Sequence, residues 1–124
     1  MRRFAYLSSI VGILLILPLE SPARYGEGLP IRGVYRVYAG SLADPTPPTA
    51  TDRRVMFRVS GKTAKDLFDA IGVDKKDACS TEPGERIRKL DGEKIFCSRS
   101  AKGEYSCSFG FDLRTGKSIG GIVC

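Results

Sequence analysis

The first 23 residues constrain what this chain can fold into more than any other stretch, because they separate a leader from a mature protein. Arg2 and Arg3 precede an apolar run over residues 4–19, and residues 21–23 supply the small-residue pattern after which a signal peptidase cuts. The run is shorter than the roughly 20 residues that a membrane-spanning helix needs. We therefore predict a cleaved signal peptide over residues 1–23, with an uncleaved anchor as the alternative, and no transmembrane span in the mature protein.

Export determines how the cysteines are used. The periplasm and the extracellular space are oxidising, so an even number of cysteines in a short exported chain predicts disulfides. The chain has no histidine, and its cysteines lack the C-x2-4-C spacing of a zinc site. We predict a periplasmic or secreted protein without metal or cofactor, in which two disulfides join Cys79, Cys97, Cys107 and Cys124.

The mature chain is expected to be one small domain behind a flexible segment. Residues 24–52 are rich in proline and threonine and lack the apolar side chains that offset the entropy of ordering. We predict that this N-terminal segment is flexible and that the folded unit covers residues 53–124. Residues 31–38 (IRGVYRVY) alternate weakly, which indicates either a short strand or a loop. Tyr35, Arg36 and Tyr38 would form an exposed binding stripe in the first case, although a plain edge strand is the simpler interpretation.

Hydrophobic periodicity predicts a strand followed by a helix at the start of the folded unit. Val55, Phe57 and Val59 alternate with polar residues, as in a half-buried strand whose outer face carries Arg54 and Arg58. From Ser60 or Gly61 the spacing changes to i, i+3, i+4 and i+7, which is typical of a helix with one apolar stripe. The stripe comprises Ala64, Leu67, Phe68 and Ile71, and Gly72 can end the helix.

Further strands are predicted over residues 86–90, 94–99, 104–109 and 118–124. Asp91-Gly92 is a tight-turn dipeptide between the first two. The predicted fold class is therefore α+β, with one amphipathic helix packed on a small, mainly antiparallel sheet that disulfides staple.

The second hairpin predicts one disulfide directly. If Ser100 faces Glu104, the loop has Gly103 at the position that needs a left-handed residue. The same register places Cys97 opposite Cys107, which predicts that these two form one bridge and that Cys79 and Cys124 form the other. Pairing of Cys79 with Cys97 and of Cys107 with Cys124 remains the main alternative.

Catalytic motifs are weak in this sequence. Gly61-Lys62-Thr63 and Gly116-Lys117-Ser118 each lack the first glycine of a phosphate loop, so no nucleotide is expected. Without histidine there is no Ser-His or Cys-His pair for nucleophilic catalysis. A pair of the carboxylates of residues 82–93 could in principle cleave a glycan. These carboxylates lie among basic residues in turn-rich sequence, however, where ion pairing is the simpler role. We predict that the protein is not an enzyme.

Basic residues carry the remaining functional signal. They attract anionic partners, although interspersed acidic residues also fit ordinary solubilising charge. Nucleic acid is not expected, because few aromatic residues accompany the cations. The candidate binding residues are Arg54, Arg58, Arg88, Lys94, Arg99, Lys102 and Tyr105.

Two segments, SGKTAKDLFDAIGV and DGEKIFCSRSAKGEYSCSF, together carry a resemblance. They resemble small exported proteobacterial proteins in which an L-[FY]-x-A-[IL] helix precedes an I-x-C…Y-x-C hairpin. The resemblance covers about residues 55–109 and implies an envelope location and the Cys97–Cys107 hairpin. It implies no activity.

The combined expectation is a monomeric, non-enzymatic periplasmic or secreted binding module. Its partner would be an anionic envelope component or a protein, recognised through the basic sheet face and the hairpin. One version is an inhibitor or immunity-type protein that inserts the hairpin loop, residues 99–104, into a cleft. The alternatives are a secreted cationic effector or polyanion-binding protein and, last, a glycan hydrolase.

Overall fold

A computed structural model describes residues 26–80 and 82–123, which form an α+β fold built from one helix and a mainly antiparallel sheet. Residues 1–25, which contain the predicted signal peptide, and Cys124 lie outside the described residues. The elements are β1 (Gly33–Gly40), β2 (Pro45–Thr46), β3 (Arg54–Ser60), α1 (Gly61–Ile71), β4 (Arg86–Leu90), β5 (Ile95–Arg99), β6 (Tyr105–Asp112) and β7 (Ser118–Ile119).

The strands form one sheet in the order β2-β1-β3-β6-β5-β4, and every neighbouring pair is antiparallel. β6 is central: β3 pairs along one side of it, while β5 and then β7 share the other side. Because side chains alternate along a strand, the register gives the sheet two distinct faces. We call them the helix-side face, which carries Val59, Cys97 and Cys107, and the far face, which carries Arg36 and Arg58.

The core lies between α1 and the helix-side face. Ala64 and Phe68 of the helix are buried against Val59 and the two cysteines, and Leu67 is among the partly buried side chains around them. The helix begins directly after Ser60, where β3 ends, and its C-cap residue Gly72 has a φ of 112°. Such a backbone angle strains residues with a Cβ, so the glycine provides the stop that the sequence predicts.

The predicted β5–β6 hairpin is confirmed. Cys97 lies opposite Cys107 and the two form a disulfide, which excludes the alternative pairing of the four cysteines. The N–H of Ser100 donates to the carbonyl of Glu104 at 2.9 Å, and Gly103 has a φ of 85°. Local turn chemistry therefore fixes the register that brings the two sulfur atoms together.

Two boundaries of the sequence analysis are wrong. The segment over residues 24–52, predicted to precede the folded unit, contributes β1, which pairs with β3 from Gly33 to Tyr38. Its alternating pattern is weak because β1 lies near the sheet edge and many of its side chains are exposed. The predicted C-terminal strand is also shorter, because of its described residues, 118–123, only Ser118–Ile119 pairs with β6. At Gly121 the chain passes so close to the backbone of Phe109 that a Cβ would lie 2.5 Å from its nitrogen.

None of the described helices is long and apolar enough to cross a membrane.

Candidate functional site

The candidate binding residues do not form one patch, because the register distributes them over both faces and both ends of the sheet. Arg54 and Arg58 lie on the far face, as the sequence predicts. The others lie on the helix-side face or in turns at opposite ends of β5: Arg88, Lys94, Arg99, Lys102 and Tyr105.

Arg88 is committed to internal contacts. Its guanidinium lies 4.1 Å from the centre of the Phe68 ring and donates to the Phe68 carbonyl at 2.8 Å. It also forms an ion pair with Asp74 at 2.8 Å, and only 15% of its side chain is exposed. Because Phe68 is in the last turn of α1, this arginine satisfies a carbonyl that has no partner within the helix.

The carboxylate of Asp74 neutralises the two β4 arginines, Arg86 and Arg88. Asp74 accepts hydrogen bonds from Arg86, which has the larger effect, and from Arg88, and these bonds lower the pKa of its carboxyl group to about 2. The carboxylate thus stays charged at any ordinary pH. These two arginines therefore help to hold the chain after α1 against β4, and little of their charge is left for a partner.

Tyr105, Arg99 and Lys102 mark the hairpin end. The Tyr105 ring packs edge-on against Phe68 at 5.4 Å, with Lys65 and Arg99 each 5.8 Å from its centre. Lys102 is exposed at the turn. At the opposite end of β5, Lys94 pairs with Asp91 at 2.8 Å. The hairpin tip therefore retains one exposed lysine and one arginine over an aromatic ring.

The far face has a different electrostatic character. Arg54 bonds the carbonyl of Gly40 and pairs with Asp52 at 3.3 Å. By contrast, neither Arg58 nor Arg36 forms an ion pair or side-chain hydrogen bond with any residue that the structure describes. Both are exposed. Free arginines of this kind can form bidentate hydrogen bonds with carboxylates or phosphates.

These two arginines line a groove that we call the arginine groove. Val34 of β1 pairs with Arg58 of β3, and Arg36 pairs with Met56, so charged and apolar side chains are interleaved on the far face. The groove has a volume of about 340 Å³. Its lining is completed on one side by the C-terminal segment, and it consists of Val34, Tyr35, Arg36, Leu42, Met56, Arg58, Gly121, Ile122 and Val123.

Sequence reasoning identified Arg58 as a candidate and placed Arg36 in a possible binding stripe, but did not join them. The stripe itself divides: Tyr35 lies on the helix-side face, whereas Arg36 and Tyr38 share the far face. Tyr38 is only 3% exposed, and burial raises the pKa of its hydroxyl. The signal that could have joined the two arginines is the alternation in GVYRVY, which predicts a strand adjacent to RVMFRV.

Asp77, Cys79 and Glu93 place potential metal ligands within 4.8 Å of one another. The Asp77 carboxylate is already paired with Lys89 and accepts the N–H of Cys79, and both contacts lower its pKa. Cys79 is part of a disulfide and offers no thiolate. Its predicted partner, Cys124, lies outside the described residues, so the Cys79–Cys124 bridge stays a prediction. The ion pair between Asp77 and Lys89 therefore links the loop after α1 to β4.

Comparison with known proteins gives no family: no protein-family model, no curated protein and no solved structure matches this chain.

Proposed function

We propose that this protein is an exported, non-enzymatic binding module that recognises an anionic partner through the arginine groove. The observation that carries the proposal is the pair Arg36 and Arg58, which have no acidic partner among the described residues although they stand beside apolar side chains. An exposed guanidinium forms its strongest hydrogen bonds with a ligand that carries a carboxylate or phosphate group. The apolar floor adds area for the uncharged part of such a ligand.

The four carboxyl groups with shifted pKa values do not suit the role of a catalytic acid. The carboxyl groups of Asp69, Asp74, Asp77 and Asp112 all have lowered pKa values, each because a cation or a backbone N–H stabilises the charged form. A carboxylic acid that donates a proton in glycan hydrolysis needs the opposite shift. Envelope location fits the predicted leader and the oxidised Cys97–Cys107 pair.

The test uses matched charge reversals and measures binding of a fluorescent oligoglutamate, a heparin oligosaccharide and anionic lipid vesicles at near-physiological salt. The double variant Arg36→Glu/Arg58→Glu should weaken binding of at least one probe about tenfold or more. The control Lys76→Glu/Lys117→Glu makes the same change in net charge at exposed positions away from the groove. It should change binding less than about twofold. If both variants lose the same binding affinity, binding depends on net charge and not on the groove, and the proposal is overturned.

A second candidate site is the hairpin tip, which suits an inhibitor that fills a cleft. The Cys97–Cys107 disulfide and the two bonds between Ser100 and Glu104 hold this loop rigidly, which limits the entropy lost on binding. Arg99→Glu/Lys102→Glu has the same charge change as the groove variant. If it abolishes probe binding while the groove variant binds normally, the hairpin replaces the groove as the binding site.

A further inference from the structure

The outer edge of β1 has backbone hydrogen-bonding groups without a partner strand. β2 pairs with β1 only at Ala39 and Gly40, so from Gly33 to Tyr38 no described strand lies beside that edge. The opposite edge of the sheet is different, because the N–H of Lys75 donates to the carbonyl of Ile87 in β4 at 2.7 Å. The sheet therefore has one partly capped edge and one open edge.

One hydrogen bond determines which groups on β1 are free. Ser60 donates its N–H to the carbonyl of Arg32 at 2.9 Å, so these opposite residues occupy the position of a hydrogen-bonded pair, while the N–H of Arg32 donates to the Thr63 hydroxyl at 3.5 Å. In an antiparallel ladder such pairs alternate, so Val34, Arg36 and Tyr38 direct their N–H and C=O groups toward β3. The outward groups then belong to the residues between them, namely Gly33, Tyr35 and Val37.

The bond from the N–H of Leu113 to the carbonyl of Arg53 agrees with this assignment. Arg53 therefore faces β6, and by alternation Val55, Phe57 and Val59 also direct their N–H and C=O groups toward β6. The β3 residues between them direct their N–H and C=O groups toward β1.

Side chains on both faces next to this edge are exposed. On the helix-side face, 71% of Tyr35 and 41% of Val37 are accessible, and the Tyr35 ring lies 6.3 Å from that of Phe57. A cavity of about 190 Å³ opens beside Gly33, which leaves room for an apolar side chain. On the far face the same strand borders the arginine groove. A strand of this length whose outward backbone groups are unpaired can pair with another chain unless it is covered.

We propose that the open edge of β1 binds an extended protein segment in which acidic and apolar residues alternate, and that this segment continues the sheet as an added strand. The inference rests on the proposed function, since the acidic residues would meet Arg36 and Arg58. Alternate side chains of an added strand point to opposite faces, so one set reaches the arginine groove while the other packs on Tyr35 and Phe57.

Charge favours this ligand over a second copy of the chain. Two β1 strands paired edge to edge would bring the arginines of both copies to the same face, with no acidic residue of either β1 opposite them. Like charges across neighbouring strands are destabilising, whereas opposite charges are favourable.

The probe is a blocked octapeptide of alternating Glu and Val. The first control peptide has the same composition with all Glu before all Val, and the second is the alternating peptide with N-methyl groups on the amides of one edge. The alternating peptide should bind about tenfold more tightly than either control. Blocking its hydrogen bonds should matter because strand addition gains affinity from main-chain pairing.

Amide hydrogen exchange followed by NMR provides a residue-specific readout that simple charge attraction would not move. In the free protein the amides of Tyr35 and Val37 should exchange rapidly, while those of Val34 and Arg36 should be protected by β3. Adding the alternating peptide should slow exchange at Tyr35 and Val37 about tenfold or more. Lys117, which is exposed in the connection between β6 and β7, serves as the internal reference.

The outcomes separate the two proposals. If binding depends on Arg36 and Arg58 but all three peptides bind equally and Tyr35 and Val37 stay unprotected, strand addition is wrong while the anion site survives. If the groove charge reversal leaves peptide binding unchanged, the proposed function fails. If light scattering shows a dimer in which Tyr35 and Val37 are already protected, a second copy occupies the edge and this inference is overturned.

Discussion

The two arginine pairs of this protein, Arg86 with Arg88 and Arg36 with Arg58, show how tertiary structure divides identical side chains between different roles. The first pair shares the carboxylate of Asp74, and Arg88 also stacks on Phe68. The second pair stands on the far face with no ionic partner among residues 26–80 and 82–123. A count of basic residues therefore does not show which cations are neutralised inside the protein, whereas the folded structure does.

The same contrast extends to the sheet as a whole. Near β4 and β5 the helix-side face is sealed by α1, whereas near β1 its aromatic residues remain accessible. The sealed part should supply most of the free energy of unfolding, and the open part should be free to bind.

The largest expected effect comes from a matched pair of phenylalanine substitutions. Phe68→Ala removes a fully buried ring and should lower the free energy of unfolding by about 3–5 kcal/mol. Phe57→Ala removes a half-buried ring of the open part and should cost less than half as much. Urea denaturation of both variants measures the difference. Equal losses would mean that the open part is as important for stability as the sealed part.

The disulfide should give the next largest effect. Cys97→Ala/Cys107→Ala removes a bridge whose cysteines are both buried in the core, and we expect a loss of about 2–4 kcal/mol. Thermal denaturation of variant and wild type measures it, with the β6 substitution Ser106→Ala as a control. Peptide binding at the open edge should persist below the melting temperature. Loss of that binding in the folded variant would show that the two parts of the sheet are coupled.

A third comparison tests the arginines directly. Arg88→Ala removes an ion pair, a hydrogen bond to a helix carbonyl and a contact with an aromatic face, and should cost about 2 kcal/mol. Arg58→Ala removes no described ionic contact and should stay within about 0.5 kcal/mol of wild type. Chemical denaturation provides both values. If Arg58→Ala proves as costly as Arg88→Ala, the far-face arginine has a structural role and the contrast fails.

The smallest effect is expected from pH. The carboxyl pKa of Asp74 in the folded chain is about 2, below its unfolded value of about 4. Its contribution to stability is therefore complete above pH 4 and is lost as the pH falls toward 2. Asp74→Asn should be less stable than wild type at neutral pH, and the gap should close in that window. Melting temperatures across the pH range measure it; a gap that is constant with pH would contradict the assignment.

Much of the folded unit was predictable because its signals are local. The spacing of Ala64, Leu67, Phe68 and Ile71 predicts α1, and the glycine in the turn predicts the register that pairs the hairpin cysteines. The far-face position of Arg58 follows from strand alternation alone. In each case the informative residues lie within about one element of one another.

Other features depended on partners distant in sequence. β1 has only a weak pattern of its own, and it becomes a strand because β3 supplies six register partners about twenty residues away. The close approach of Gly121 to the Phe109 backbone also joins distant parts of the chain, and no local pattern reveals it.

The sequence by itself thus determined the helix and the hairpin register and favoured the Cys97–Cys107 pair, since periodicity and turn chemistry act over a few residues. Tertiary structure alone decided which cations are neutralised and which remain available. Asp74 is twelve residues from Arg86 in the chain yet within hydrogen-bond distance. Arg36 and Arg58 were instead brought together at a groove where no described acidic residue forms an ion pair with either of them. Charge compensation depends on distance in space, and only the folded sheet sets that distance.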